Sequence, residues 1–600
     1  MEKKTKWKEG LSVIVLTILV FYYFLILGVF TFRQQEEAQL FVPAWSNVKA
    51  VLCEPGGFCA VAGQYLILHY TNPLFAVTAN TLLLVAIAWG IYRLLERVSG
   101  RSYHLFLACL PVFYLMKESI QYVYVIDGTI AIALMLAFLY PLTCLKTAKR
   151  IAAYGIVSTC VLFLLAGQMA VLYAATYALS PACFYGDRHV RWQGAWSLLP
   201  AIPFYLFSGR MGVPVPLSEG FRPVQFLETQ LQPIYYIYHV WIGFTACLLF
   251  MLAVAFLLSK AACRKRWTKA IISLSCLLLL AAQGINCMPK RIDIRNYLLN
   301  ELAYFAREKR WDAIIDRFQG RQMSEYVSLN YLNYALSQKG ELAERMFAFD
   351  QRGPKSLVMP WTQTFFDSKL LCDIHFHIGD LSLAEGYAFE AMALAQREGC
   401  LPALQRLVQI NLLKGEYALA RKYIHVLSEV PAYADWAGRQ SDYILHPERM
   451  DEDPELRNRR RPYLTQDKLL LQMPADSLWQ AYTPEQKSGW EYGGCYYLTD
   501  KKIGPFKDFI LRSCAGRTVE LPRHFQEAWL LAADLDATLP PGRFVIRKEV
   551  KDRYRRFRQA MQGQSAGKAD TDAIYRSFGD TYWFYFYFKL FKSNETNKGI

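Results

Sequence analysis

The stretch LSVIVLTILVFYYFLILGVF, residues 11–30, runs for twenty residues without a charge, enough as a helix to cross the hydrocarbon core of a bilayer. It follows the basic segment MEKKTKWKEG, as a secretory signal would, but it is longer than a signal's apolar region and lacks a small-residue cleavage site. The reading is a retained helix. Further spans are expected at 74–92, at 104–116 with a partner at 119–141, and at 151–176, 236–259 and 270–286. With the first, these make about seven crossings.

Orientation follows from short basic loops. Lys3, Lys4, Lys6 and Lys8 precede the first span, Arg93, Arg97 and Arg101 follow the second, and Lys146, Lys149 and Arg150 follow the fourth. The stretch KAACRKRWTK (260–269) adds five basic residues and no acid. The positive-inside rule places all four clusters in the cytoplasm, so 31–73, 177–194 and everything after about residue 287 are expected outside. The run GAWSLLPAIPFYLFSG (194–209) conflicts with that scheme as a full crossing, and Pro200 and Pro203 favour a broken or re-entrant element.

From Arg291 the long apolar runs give way to amphipathic helices with frequent charges. Turn glycines at 340, 379 and 415 are 39 and 36 residues apart, near the tetratricopeptide period of about 34, with small residues where paired helices approach. The fold class is therefore all-α: a polytopic transmembrane domain over 1–290, with an outer loop at 31–73, then a tetratricopeptide-like domain over 291–600. A weaker unit is expected near 307–318, and the charged, proline-bearing stretch 446–463 reads as a surface loop or insertion. SFGDTYWFYFYFKLF (577–591) is too short to span and reads as a cap or docking segment.

The blocks EEAQLF (36–41), LCEPGGF (52–58), YTNPLF (70–75) and DTYWFY (580–585) resemble an uncharacterised family of membrane proteins from Bacteroides-like bacteria. The resemblance spans nearly the whole chain and implies a multi-pass inner-membrane protein, its C-terminal domain periplasmic, without implying an activity. A looser similarity of layout links the first spans to membrane glycosyltransferases that use polyprenyl-phosphate sugars, which place an acid in the first outer loop before an interfacial helix. Glu36 or Glu37 occupies that position, and 39–52 matches the interfacial helix. Where those enzymes show an aspartate-rich or Asp-Glu pair, this chain has Glu-Glu. The similarity implies membrane lipids, a polyprenyl-phosphate-linked substrate and a periplasmic protein or glycan acceptor as partners.

Such transfer needs a carboxylate to activate an acceptor and cations to hold the phosphate leaving group. The candidate acids are Glu36, Glu37 and Asp127, and the candidate cations are Arg188, His189, Arg191 and Arg222, with Arg210 beside them. The plain reading of Glu36 and Glu37 is that they end a span and keep a loop in water. Asp127, inside YVYVIDGTIAIAL, needs a partner or a polar cavity in an apolar setting.

Among the 14 cysteines, Cys53 with Cys59 and Cys495 with Cys514 are candidate bridges. His375 and His377 in DIHFHIGD resemble metal ligands but precede a repeat turn, so no metal is assigned and no cofactor follows from the residues. There is no phosphate loop, serine elbow or zinc-protease motif. The net charge of +16 lies largely in loops assigned to the cytoplasm and does not indicate nucleic acid. The basic stretch 545–561 is either a solvated face or a contact for anionic lipid or an acidic partner. Two functions remain: a lipid-linked glycosyl or related transferase, and a noncatalytic envelope scaffold recruiting a partner through its repeats.

Overall fold

The computed structural model describes residues 2–99, 105–121, 124–200, 234–260, a few positions between 274 and 285, and 294–589, less Gln168, Gly186, 322–324, 396–398, 458–477, Gly516, Thr518, 537–543 and 566–570. All regular elements among them are helical. The chain divides into two compact units, one built on residues 1–300 and the other on 301–600.

The first unit opens with α1 (Glu2–Leu27) and α2 (Val29–Glu37), followed by α3 (Trp45–Leu52), α4 (Gly57–Leu68), α5 (Pro73–Ser99), α6 (Leu105–Ser119) and α7 (Asp127–Leu139). Then come α8 (Ala148–Ala166), α9 (Met169–Leu179), α10 (Pro181–Phe184), α11 (Arg188–Trp192) and α12 (Ile234–Lys260). Among the described residues four helices are long and apolar enough to cross a membrane: Gly10–Leu27, Pro73–Ser99, Asp127–Cys144 and Ala148–Ala166. Of the other expected spans, 104–116 falls on α6, 236–259 falls within α12, and most of 270–286 lies outside the described residues.

One expected span is two helices. Gly167 takes φ 57, a left-handed value open to glycine, and the chain reverses there. The α9 residue Tyr173 donates to the carbonyl of Phe138 at 3.2 Å, and Tyr177 donates to that of Ile151 at 2.8 Å, so α9 runs back antiparallel to α8. The loop after it therefore returns to the end of the unit where α8 begins, and Tyr185 donates to the Leu145 carbonyl at 2.6 Å. The segment Gln193–Ser197 then climbs beside α9, with Ser197 donating to Ala174 at 2.8 Å. The expectation of one crossing over 151–176 is thereby corrected: these residues form a hairpin of which only α8 is long and apolar enough to cross a membrane.

The second unit stacks helical hairpins: α15 (Tyr326–Gln338) after α13 (Ile294–Arg307) and α14 (Trp311–Phe318), then α16 (Leu342–Arg345), α17 (Phe365–Ile378), α18 (Leu381–Ala393), α19 (Leu401–Lys414), α20 (Tyr417–Ser428) and α21 (Ala434–Leu445). Gly340, Gly379 and Gly415 sit at φ 69, 88 and 79, the left-handed cap conformation that ends one helix and turns the chain into the next. The helices α22 (Lys487–Thr499), α23 (Ile503–Ser513), α24 (Arg523–Leu535), α25 (Lys548–Ser565), α26 (Thr571–Phe578) and α27 (Tyr582–Phe588) complete it. The aromatic segment packs into its own unit: Trp583 donates to the Glu527 carbonyl and Tyr585 to that of Thr499, at 2.8 and 2.7 Å.

Candidate functional site

α2 continues the chain of α1 past the apolar run, so FTFRQQEE is helix rather than loop. Glu36 and Glu37 have no solvent exposure, which overturns the reading that they keep a loop in water. Arg33, one turn before them, pairs with both: Nη1 lies 3.0 Å from Glu36 and Nε 3.8 Å from Glu37. The i, i+3 and i, i+4 spacing makes one cation serve two carboxylates on one helix face, and burial makes that pairing necessary.

The polar residues beside this trio serve backbone. Between α6 and α7, Ile120 and Tyr124 are buried outside regular helix, so their carbonyls need donors. Thr31 donates to Ile120 and Gln35 to Tyr124, each at 3.1 Å. Gln39 likewise donates to the Gln64 carbonyl on α4, at 3.1 Å. Asp127, the first residue of α7, is 1% exposed and lies directly on α4, where a Cβ placed on Gly63 would fall 1.9 Å from its Oδ1. The glycine is what allows the carboxylate so near a helix backbone.

The candidate cations belong elsewhere. Arg188 and His189 are exposed on α11, capped by Asp187, and Arg191 donates to the Tyr185 carbonyl at 2.8 Å. Tyr185 rests on the connection after α7, and α7 separates that connection from Asp127 by about 20 Å. The structure thus groups Glu36 and Glu37 with Arg33 and does not bring Arg188, His189 or Arg191 to Asp127. Arg210 and Arg222 lie outside the described residues. Arg33 is the residue that sequence reasoning missed, although its spacing from both acids was there to be read.

In the second unit a groove of about 890 Å³ is lined by Trp311, Tyr331, Tyr334 and Trp436 together with charged side chains from α17, α19 and the start of α22. Arg406 anchors its floor, donating to Asp373 at 2.7 Å and lying 4.5 Å over the Phe376 ring. His377 meets Ser337 at 2.8 Å, and His375 lies 3.3 Å from Asp380. Both histidines of the metal-like motif are thus engaged within the hairpin stack.

Near the groove, on α22, burial pushes the Glu491 carboxyl up from 4.5 to about 7, with Glu344 adding to the effect and Lys487 opposing it. Between those values the folded chain keeps a proton that the unfolded chain releases, so stability falls as pH rises through the window. Glu491→Gln should remove that loss: its thermal unfolding advantage over the native chain should be larger above about pH 7 than near 4.5. An advantage independent of pH would contradict this.

In the basic stretch 545–561, Arg553 pairs with Asp580 at 2.5 Å, Arg547 with Glu344 at 3.2 Å and Arg558 with Asp534, while Lys548, Lys551 and Arg556 are exposed. Cys53 is exposed and Cys59 buried, and both are free thiols, as are buried Cys495 and Cys514; neither expected bridge is formed.

The model of a family of unknown function (DUF6057) matches residues 3–589, and the chain belongs to that family. No curated protein and no solved structure matches it.

Proposed function

We propose that this protein is a membrane-embedded recruitment scaffold: its first unit anchors it in the bacterial inner membrane, and the groove of its second unit, on the periplasmic side, receives an extended segment of a partner protein. The observation that carries the reading is the groove itself, concave, water-accessible and lined by aromatic and charged side chains in a stack of helical hairpins. Family membership supplies no activity to set against it. The four apolar helices support the anchor, and the basic loops support the orientation.

A transferase is the second reading, favoured by one observation: three carboxylates, Glu36, Glu37 and Asp127, are concentrated in an apolar unit, where ionisable groups carry a substantial penalty. Against it, Glu36 and Glu37 are sealed from solvent and paired with Arg33, and the phosphate-holding candidates Arg188, His189 and Arg191 lie far from Asp127.

Two variants separate the readings in the native membrane. Lys309→Glu, Arg406→Glu and Lys487→Glu combined reverse charge along the groove, whereas Glu37→Gln removes one carboxylate from the first unit. A scaffold predicts that the groove variant loses its partner complex in mild detergent and reproduces the envelope defect of a deletion, while Glu37→Gln keeps both functions. The opposite pattern at normal abundance would reject recruitment in favour of transfer.

A further inference from the structure

We infer that the groove recognises an acidic, extended peptide segment, and that Glu455 of this same chain holds the recognition point until such a segment displaces it. This rests on the recruitment reading above and names what the groove receives.

Glu455 comes from the loop after α21, which Leu456, fully buried, and Met450, 2% exposed, pin to the unit. Asp453 shapes the loop by accepting from the Glu455 amide at 2.8 Å. The carboxylate is then taken by cations from two different places in the stack. Its Oε1 accepts from Arg406 on α19, and its Oε2 from Lys309, before α14, at 3.2 Å. Arg406 is preorganised for that task by Asp373, by Gln409 at 2.8 Å and by the ring of Phe376. A guanidinium fixed in place and an exposed ammonium together make a carboxylate receptor, and here it is filled from within.

The surroundings share the preference. Arg307, Lys309, Lys339, Lys369, Arg406 and Lys487 line the groove against Asp373, Glu455 and Glu485. The balance is positive even with the internal carboxylate counted, and it becomes more so when Glu455 leaves. Aromatic walls beside that charge offer contact surface to the rest of an extended chain. An internal competitor acts at high effective concentration, so the apparent dissociation constant of any external segment is the intrinsic one divided by the fraction of time the site stands free.

The probe is a fluorescein-labelled peptide of residues 448–457, followed by anisotropy against the full chain in detergent. The Glu455→Gln chain is expected to bind it about tenfold more tightly than the native chain, as a cis-occupied fraction near nine-tenths requires. Arg406→Gln should abolish binding. Because Arg406 also braces the hairpins, Lys309→Gln serves as the second variant: Lys309 is 65% exposed, and its loss should weaken binding to the Glu455→Gln chain with unfolding unchanged. Equal affinity for the native and Glu455→Gln chains would overturn occupancy in cis while leaving recruitment standing. Binding undiminished by Arg406→Gln and Lys309→Gln, or no binding by any folded variant, would overturn acidic-segment recognition. Recruitment itself is decided separately by the groove charge reversal in membranes.

Discussion

Arg33→Ala is expected to destabilise the first unit by about 3–5 kcal/mol, the usual cost of removing one partner from a buried ion cluster. Glu36 and Glu37 are fully buried, and Arg33 is the cation shared by both. Removing the cation takes away the charge that made ionising two neighbouring carboxylates in an apolar setting tolerable. The comparison is with the triple variant Arg33→Ala, Glu36→Gln, Glu37→Gln, which removes cation and anions together and should recover much of the loss. Unfolding in mixed micelles reports both. A neutral Arg33→Ala would mean that the carboxylates are not held as anions by this residue. The same burial bears on Glu36→Gln with Glu37→Gln, which leaves Arg33 with neither counter-charge and is expected to destabilise, so single substitutions are the cleaner probes of activity.

Gly63→Ala is the second large effect. The added Cβ would fall 1.9 Å from Asp127 Oδ1 and 2.9 Å from its Cγ, closer than packed atoms approach, so the buried carboxylate must leave its present position or α4 and α7 must part. A loss of about 1–3 kcal/mol or more is expected. Combining Gly63→Ala with Asp127→Ala deletes the atoms in the way and should return most of that loss, whereas Asp127→Asn keeps the same shape and should not. Simple additivity of Gly63→Ala and Asp127→Ala would show that the glycine is needed for some other neighbour.

The helical class of both halves and the turns of the second were legible because each has a local cause: an uncharged run of bilayer length in α1, and a glycine in the left-handed conformation at 340, 379 and 415. The reversal at Gly167 was hidden because apolar residues continue on both sides of it, leaving no change of polarity to mark the turn. The burial of Glu36 and Glu37 was illegible for a different reason. A QQEE sequence reads as a solvated stretch unless one knows that Gln35 will meet the carbonyl of Tyr124 and that Asp127 will lie on Gly63, and both contacts cross long stretches of chain. Glu455 was likewise lost in a run of charges whose partners, Arg406 and Lys309, come from other hairpins.

The helical hairpin at Gly167 also joins two arms of unequal reach. α9, at 11 residues, is about 16 Å long, roughly half the hydrocarbon thickness, so it gains little from entering lipid alone. α8, at 19 residues, has the length to enter by itself, but in the finished unit the tyrosine hydroxyls of α9 rest on carbonyls of α7 and α8. The short arm is therefore held through the helices it leans on rather than by a bilayer-spanning length of its own.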